Sequence, residues 1–484
     1  MARMKDIDKS NEKDAKDFKK QSSKAERKAI KQRAKEIKKT LIKEARLREK
    51  SAEADRKIET RALRENWYKL DNSALIYPAI DSSEWNSVFR LTVTLKEAIR
   101  PDLLQKALDD NMKRYPFFNV SLRDGLFWHY FQSLTTKPVI EMEHDYPCRH
   151  FVFDKSKPIF RVLYFNKTIS YESFHSLADG GGAIQFFNTL IVRYCQLCGV
   201  TVANMQKYNL NVLDLPDDEE SEDAFERFAD GGKARSRKEE KAYEVTGAMD
   251  PIQVLHVITG RVKLTDLKAK AKEYSATINE FLSAVYMKVL IEEKHRASRN
   301  NKKPVKLSVP VNLRRLFPSR TMRNFSQFLN ITIPVEKENC EFKELVEIVK
   351  EDSKALTKEY VLGVINANVS SEKNFFVRIM PLIIKDSVLN LVYSFVGERL
   401  FTSTISNLGV IKLPPEVSEQ IQDYNALLGA TKLNRLNLAV MSFNDETVLT
   451  ITTRLRDRRI VRRFFTELAE LGLSVTVESN QEVE

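Results

Sequence analysis

Between residues 67 and 484 the apolar residues switch repeatedly between two periods, and this switching constrains the fold more than any other feature of the sequence. Residues 89–95 alternate between apolar and polar, as a half-buried strand does. Residues 101–115 begin with proline and then carry apolar side chains at helical spacing. A strand that leads into an amphipathic helix is typical of a layered α/β domain.

The second half of the chain repeats this alternation. Residues 277–289 combine a capping-box pattern with a helical apolar stripe, and residues 305–311 alternate as a strand. Residues 436–453 resemble a hairpin around Asn444 and Asp445, and a last helix is predicted to stop at Gly472. We therefore predict an α/β fold made of two similar-sized α/β sandwich halves, residues 67–213 and 248–484.

A charged linker is predicted at residues 214–247, between the two halves. From Asp214 to Glu226 there are eight acidic residues and no basic ones, and Gly231-Gly232 and a cluster of Lys and Arg follow. Blocks of charge without apolar periodicity are typical of an exposed connection.

The basic character of the protein belongs to its first 66 residues. The whole chain has a net charge of +12; residues 1–66 hold 23 Lys and Arg against 13 Asp and Glu, a net charge of +10, which leaves +2 for the remainder. Residues 1–66 also lack Gly and Pro, so we expect a basic extension that is a solvated helix or disordered. Contact with anionic membrane or nucleic acid is the alternative.

Composition and local patterns indicate the cellular compartment of the protein. The four cysteines are too sparse for a disulfide framework, and Cys195 and Cys198 have no second ligand pair to complete a zinc site. No transmembrane segment is predicted, because the most apolar stretch, residues 375–396, is interrupted by three charged residues. We also find no secretory signal pattern. A cytoplasmic protein, with peripheral association at a membrane surface as an alternative, fits these features.

The most specific motif is Phe174-His175-Ser176-Leu177-Ala178-Asp179-Gly180, which lies between a predicted strand and a predicted helix. Asp179 alone would be a helix cap and the glycines alone a turn. Together they form an HxxxDG pattern in which a histidine is held by a sheet end. Neutral imidazole can accept the proton of an alcohol or amine that attacks an acyl carbon.

This motif resembles the HHxxxDG signature of the chloramphenicol acetyltransferase and condensation-domain superfamily. The resemblance implies that His175 is the general base, with Phe174 in place of the first histidine. It implies that Asp179 and Gly180 support the catalytic loop structurally. A PVxxR-like segment ending at Arg314 makes that arginine the expected partner of Asp179.

Three further segments resemble the alcohol acetyltransferase branch: Leu70-Asp71-Asn72-Ser73-Ala74, Arg323-Asn324-Phe325, and Ser403 to Gly409 with its SNxG ending. A DFGWG motif is absent from the sequence, which argues against the plant acyltransferase branch. The resemblance covers about residues 67–484 and implies two halves that meet at a central tunnel.

The implied activity is transfer of an acyl group from a coenzyme A thioester to an alcohol or amine, without a covalent acyl-enzyme. Candidate oxyanion or tunnel-mouth residues are Ser403, Thr404, Ser406 and Asn407. No tightly bound cofactor and no metal are expected; acyl-CoA is a co-substrate. Two alternatives stay open: a condensation enzyme with a donor bound through phosphopantetheine to a carrier protein, and a catalytically silent scaffold with a basic docking tail. The sequence does not specify the acceptor or the acyl length.

Overall fold

The computed structural model describes residues 67–82, 87–234, 239–251, 254–298, 300–429 and 434–480. The expectation of a helical or disordered extension at residues 1–66 lies outside these residues. The strands are β1 (Trp67–Lys69), β2 (Val88–Leu95), β3 (Val120–Asp124), β4 (His129–Ser133), β5 (Glu141–Met142), β6 (Phe160–Phe165), β7 (Thr168–Phe174), β8 (His256–Lys263), β9 (Val305–Asn312), β10 (Ser326–Ile333), β11 (Ser403–Ile411), β12 (Ile421–Leu428), β13 (Leu436–Phe443), β14 (Glu446–Thr453) and β15 (Thr476–Ser479).

Helices cover the sheets and connect their strands. They are α1 (Ile76–Ile80), α2 (Pro101–Arg114), α3 (Gly180–Leu197), α4 (Ala224–Phe228), α5 (Leu264–Glu273), α6 (Ile278–Ala297), α7 (Phe342–Lys354), α8 (Lys358–Lys373), α9 (Phe375–Ile379), α10 (Leu382–Val396), α11 (Pro415–Ser418) and α12 (Arg459–Glu470). None of the helices in the described ranges combines the length and the hydropathy needed to cross a bilayer.

The strands form three sheets. A five-stranded sheet has the order β12-β2-β7-β6-β5, a seven-stranded sheet the order β10-β9-β11-β13-β14-β8-β15, and a small sheet the order β1-β4-β3. The α/β prediction is confirmed, and the predicted hairpin at residues 436–453 is formed by β13 and β14 in antiparallel register.

One strand crosses between the two halves. Although β12 follows the seven-stranded sheet's β11 in sequence, it pairs antiparallel with β2, from Ile421 opposite Leu95 to Leu428 opposite Phe89. The second half of the chain therefore supplies an edge strand to the sheet of the first half. Sequence periodicity did not predict this exchange, because it reports the type of an element and not its partner.

The acidic connection is not simply exposed, and in this respect the prediction is wrong. Glu220 is buried and forms two hydrogen bonds with the Arg114 guanidinium, both 2.6 Å long. Phe225 is buried against Phe325 in a small core of its own. Asp223 caps α4 through backbone N–H groups. The block of negative charge thus serves caps and a buried ion pair, which a count of charges does not distinguish from a solvated face.

Candidate functional site

The candidate site is a cavity of about 400 Å³ that both large sheets help to line. His175 directly follows β7 and reaches this cavity, and its backbone N–H donates to the carbonyl of Ser87 at 2.8 Å. The imidazole stacks on Tyr77, with ring centroids 4.6 Å apart, and meets the edge of Phe89 at 5.2 Å. Two aromatic rings therefore fix the plane of the histidine.

The hydrogen bonds of Asn324 determine which nitrogen of His175 carries the proton. Asn324 Nδ2 donates to Asp71 Oδ2 and to the carbonyl of Ser176, both at 3.2 Å. The amide oxygen Oδ1 is therefore the atom that faces His175 Nδ1, at 3.1 Å. Because a carbonyl oxygen only accepts, Nδ1 must donate, and Nε2 is left as the unprotonated nitrogen.

Asp71 holds Asn324 in this orientation. Its carboxylate is fully buried and accepts from the backbone N–H of Ala74 at 2.8 Å, and Arg323 Nε lies 3.6 Å away. Burial raises the pKa of Asp71, and the nearby charge of Arg323 opposes that rise. The sequence motifs contained both Asp71 and Asn324, but spacing alone assigned neither a role, because Asn324 lies 149 residues from His175.

Burial also lowers the pKa of His175, while Asp179 and the bond to Asn324 act in the opposite direction. The imidazole of His175 therefore stays neutral at pH values somewhat below the ordinary pKa of histidine. A base that is neutral at physiological pH and has an open Nε2 is ready to accept a proton.

Asp179 ties the histidine loop to the second half of the chain. It caps α3 by accepting from the N–H of Gly182 at 3.0 Å. Its two carboxylate oxygens receive a forked pair of hydrogen bonds from Arg314, at 2.8 and 3.1 Å, and Oδ2 also accepts from the N–H of Phe325 at 2.8 Å. Although burial alone would raise its pKa, the Arg314 charge and these hydrogen bonds hold the pKa of Asp179 below the usual value.

Close packing requires glycine at position 182 of the loop and favours it at position 180. A Cβ at Gly182 would lie 1.8 Å from the carbonyl oxygen of Met322, so no larger residue fits without movement of the backbone. A Cβ at Gly180 would lie 2.7 Å from Leu408 Cδ2. The loop therefore packs directly against the segment that precedes Arg323 and against β11.

Strand parity separates the four hydroxyl and amide residues expected at the tunnel mouth. Thr404 and Ser406 point to the cavity, together with Asn407 beside a register shift in β11. Ser403 points the other way: it is fully buried, donates to the carbonyl of Leu436, and shares a hydrogen bond with Tyr286. The structure thus removes Ser403 from the tunnel mouth and assigns it to the core.

Thr404 has a neighbour that sequence reasoning missed. Asn434 Nδ2 donates to Thr404 Oγ1 at 2.8 Å, and both residues line the cavity. With its oxygen engaged as an acceptor, the Thr404 hydroxyl can direct its proton toward a bound group. Asn434 stands in a stretch without a motif, so only the fold brings it to this position.

The sequence matches no known family profile and no curated protein. Solved structures do match. Polyketide synthase associated protein 5 from Mycobacterium tuberculosis is 13% identical, with 83% of this chain and 96% of that chain covered and a TM-score of 0.50. The epimerization domain from the third module of tyrocidine synthetase B is 10% identical, with 84% and 96% covered and a TM-score of 0.51.

The starter condensation domain of rhizomide synthetase, in complex with C8-CoA, is 14% identical, with 84% of this chain and 96% of that chain covered and a TM-score of 0.51. At such low identity the likeness shows a shared fold. This chain therefore has the two-halved α/β fold that condensation domains have.

Proposed function

We propose that this protein is an acyltransferase that moves an acyl group from a thioester donor to an alcohol or amine, with His175 as general base. The observation that carries the proposal is the chain of hydrogen bonds from Asp71 through Asn324 to His175 Nδ1. These hydrogen bonds fix the tautomer of His175 and leave Nε2 unprotonated on a ring that lines the cavity. That is the arrangement that a general base requires.

The reaction follows from this arrangement. His175 Nε2 takes the proton of the acceptor O–H or N–H while the acceptor atom attacks the thioester carbonyl carbon. The new bond forms as the carbonyl π electrons move to oxygen, and Thr404, Ser406 and Asn407 are the candidate donors to that oxyanion. When the carbonyl re-forms, the C–S bond breaks, and the leaving thiolate receives the proton from His175.

Coenzyme A is the proposed carrier of the acyl group. The support is the shared fold with the starter condensation domain of rhizomide synthetase, which was solved with C8-CoA. A donor attached to a carrier protein is the second candidate, because another neighbour in fold is a domain of a peptide synthetase. Both donors present the same thioester to His175. We propose no metal and no tightly bound cofactor for this step.

The experiment is thiol release from a panel of acyl-CoA donors with mixed alcohols and amines, for the wild type and His175→Ala. We expect thiol release that requires an acceptor and falls by about 10² to 10⁴-fold in the variant, as for the loss of a general base. Equal thermal stability of the two proteins is the control. Acceptor-dependent release that persists in a folded His175→Ala protein would refute the assignment.

If the folded wild type releases no thiol from any free coenzyme A ester, an acylated carrier protein is the next donor to use. Activity with that donor alone would favour the condensation-type reaction. Inactivity with both donors would leave the catalytically silent scaffold as the better description of the protein.

A further inference from the structure

The outer surface of α9 and α10 is apolar to an unusual degree. Seven large apolar side chains of these two helices are exposed among those that the structure describes, including Phe375 at 67%, Phe376 at 73% and Ile383 at 83%. The six that precede Leu391, here called the apolar face, are Phe375, Phe376, Ile379, Ile383, Ile384 and Val388. Exposed apolar side chains concentrated on two consecutive helices, rather than scattered singly, are typical of an interaction site.

Two of the three charged side chains of the same segment are turned toward the protein. Of the three charged residues between Phe375 and Val396, only Arg378 is exposed. Lys385 is buried: its Nζ donates to the carbonyl of Phe127 at 2.6 Å and lies 3.2 Å from the centre of the Trp128 ring. Asp386 faces His129 Nε2 at 3.1 Å.

Helix α10 is therefore inverted relative to an ordinary surface helix, which turns its apolar stripe to the core and its charges to water. Because the Lys385 side chain is turned away from water, burial lowers its pKa to about 8. Apolar side chains gain free energy when they leave water, so this arrangement suits an apolar environment outside the protein.

The inverted helix is also connected to the candidate active site. Asn390 Nδ2 donates to the carbonyl of Ala79 in α1, and Tyr77 of α1 is the ring that stacks on His175. Directly after α10, Gly397 and Phe401 line the cavity. Helix α10 thus carries half of the apolar face near its start and leads into the wall of the cavity at its end.

Strand β1, where the described part of the chain begins, is joined to the end of α8, the helix that precedes α9. Trp67 in β1 is exposed at 60% and meets the edge of Tyr130, and β1 is joined to the end of α8 by the ion pair of Lys69 with Glu372. The 66 residues that precede Trp67 carry a net charge of +10. Exposed tryptophan together with positive charge is what a membrane interface containing anionic lipid attracts.

We propose that the apolar face docks on a lipid surface, with Phe375, Phe376 and Ile383 inserted at the level of the headgroups. A lipid surface accounts for both the exposed apolar side chains and the positive charge, which includes exposed Arg378 between Phe376 and Ile379. The proposal goes beyond acyl transfer: a docked α10 would hold the cavity beside a bilayer, where an acceptor or acyl chain of low water solubility resides.

The test is co-sedimentation of the full-length protein with vesicles of phosphatidylcholine alone and of phosphatidylcholine with phosphatidylserine. We compare the wild type with Phe376→Asp/Ile383→Asp, and with Val152→Asp as the matched control, because Val152 is an exposed apolar residue at 88% outside α9 and α10. We expect the double variant to lower the partition coefficient about tenfold or more on both vesicles and the control to leave it unchanged.

Equal vesicle binding by the double variant and the wild type would overturn the proposal, and so would no binding by the wild type. Light scattering serves as a second readout: a wild-type dimer that the double variant dissociates, without any effect on vesicle binding, would assign the face to a second copy of the chain and overturn docking on lipid. The vesicle experiment involves no thioester, so its failure is distinguishable from a failure of the proposed acyl transfer.

Discussion

The histidine loop and helix α10 both turn charged side chains inward, but they differ in what they expose to the outside. At the loop, Asp179 is enclosed by donors from the protein itself, namely Arg314, Gly182 and Phe325. In α10, Lys385 and Asp386 are also turned inward, but the helix then exposes Ile383 and its apolar neighbours to the outside. The charged groups of the loop have their partners within the protein. The exposed apolar side chains of α10 would have theirs in the proposed lipid surface. A closed site and an exposed apolar surface thus occur in the same protein, and the hydrogen bond from Asn390 to the carbonyl of Ala79 connects them.

The largest expected effect comes from breaking the closed loop. Arg314→Ala removes the forked ion pair and leaves the buried carboxylate of Asp179 with backbone donors alone. Losing one partner of a buried pair costs about 3 to 5 kcal/mol, so the free energy of unfolding should fall by about 3 kcal/mol in denaturant titrations. The neighbouring exposed Arg315, changed to Ala, is the control and should alter stability by less than about 0.5 kcal/mol. Equal stability of both variants would mean that the pair does not hold the loop.

The next largest effect is expected from a substitution that no longer fixes the tautomer of His175. Asn324→Leu keeps the branched shape of the side chain but removes the acceptor of His175 Nδ1–H, so we expect kcat to fall about 10²-fold while KM changes little. Nitrogen-15 shifts of the His175 ring, assigned with His175→Ala, should change from one tautomer to a mixture. An unchanged ring spectrum together with full activity would show that Asn324 does not position the histidine.

A smaller effect is expected in the pH profile. Burial lowers the pKa of His175, so the neutral base persists as pH falls, and the acid limb of kcat/KM should lie below pH 6.5. The negative charge of Asp179 opposes that shift, so Asp179→Asn should move the limb further toward acid. A limb above pH 6.5 in the wild type, measured with a donor that is stable across this range, would contradict a buried general base.

The smallest effect on stability is expected from a substitution on the apolar face. Ile383→Ser should leave the free energy of unfolding within about 0.5 kcal/mol of the wild type, because the side chain is already in water. Leu382→Ser, at the buried neighbouring position, should cost about 2 kcal/mol by thermal or chemical unfolding. A large loss of stability in Ile383→Ser would mean that its side chain is packed in solution, and the contrast between the two regions would disappear.

What the sequence could predict depends on how locally the information is encoded. The period-two pattern of β2 and the capping box at Thr277 are local, and both gave the observed elements. The expectation that β2 is half-buried is wrong, because Arg90 and Thr92 on its polar face are buried as well. The histidine motif is local as well, and the segment resemblance led to Arg314, whose side chain does lie on Asp179. The orientation of Asn324 could not be predicted, because it depends on Asp71 and Ser176, which meet it only in the folded chain.

The inverted helix shows a different limit of sequence reasoning. Lys385 and Asp386 interrupt an apolar run, and charged residues normally indicate the solvent side of a helix. Here they lie on the inner side of the helix together with Leu382, whereas Ile383 and Ile384 face outward. Ser403 misled for a related reason: one position of strand parity separates it from Thr404, and a motif of consecutive residues does not report which face each one takes.

The exchange of β12 has a consequence for how the protein is made. As a ribosome releases the chain, β2 remains an open sheet edge from the time the first half appears until residues beyond Leu428 have emerged, because its partner lies in β12. An open edge invites pairing with other chains. The first half, expressed alone, would therefore present an unpaired strand edge at β2, and during synthesis this edge is covered only after β12 has emerged.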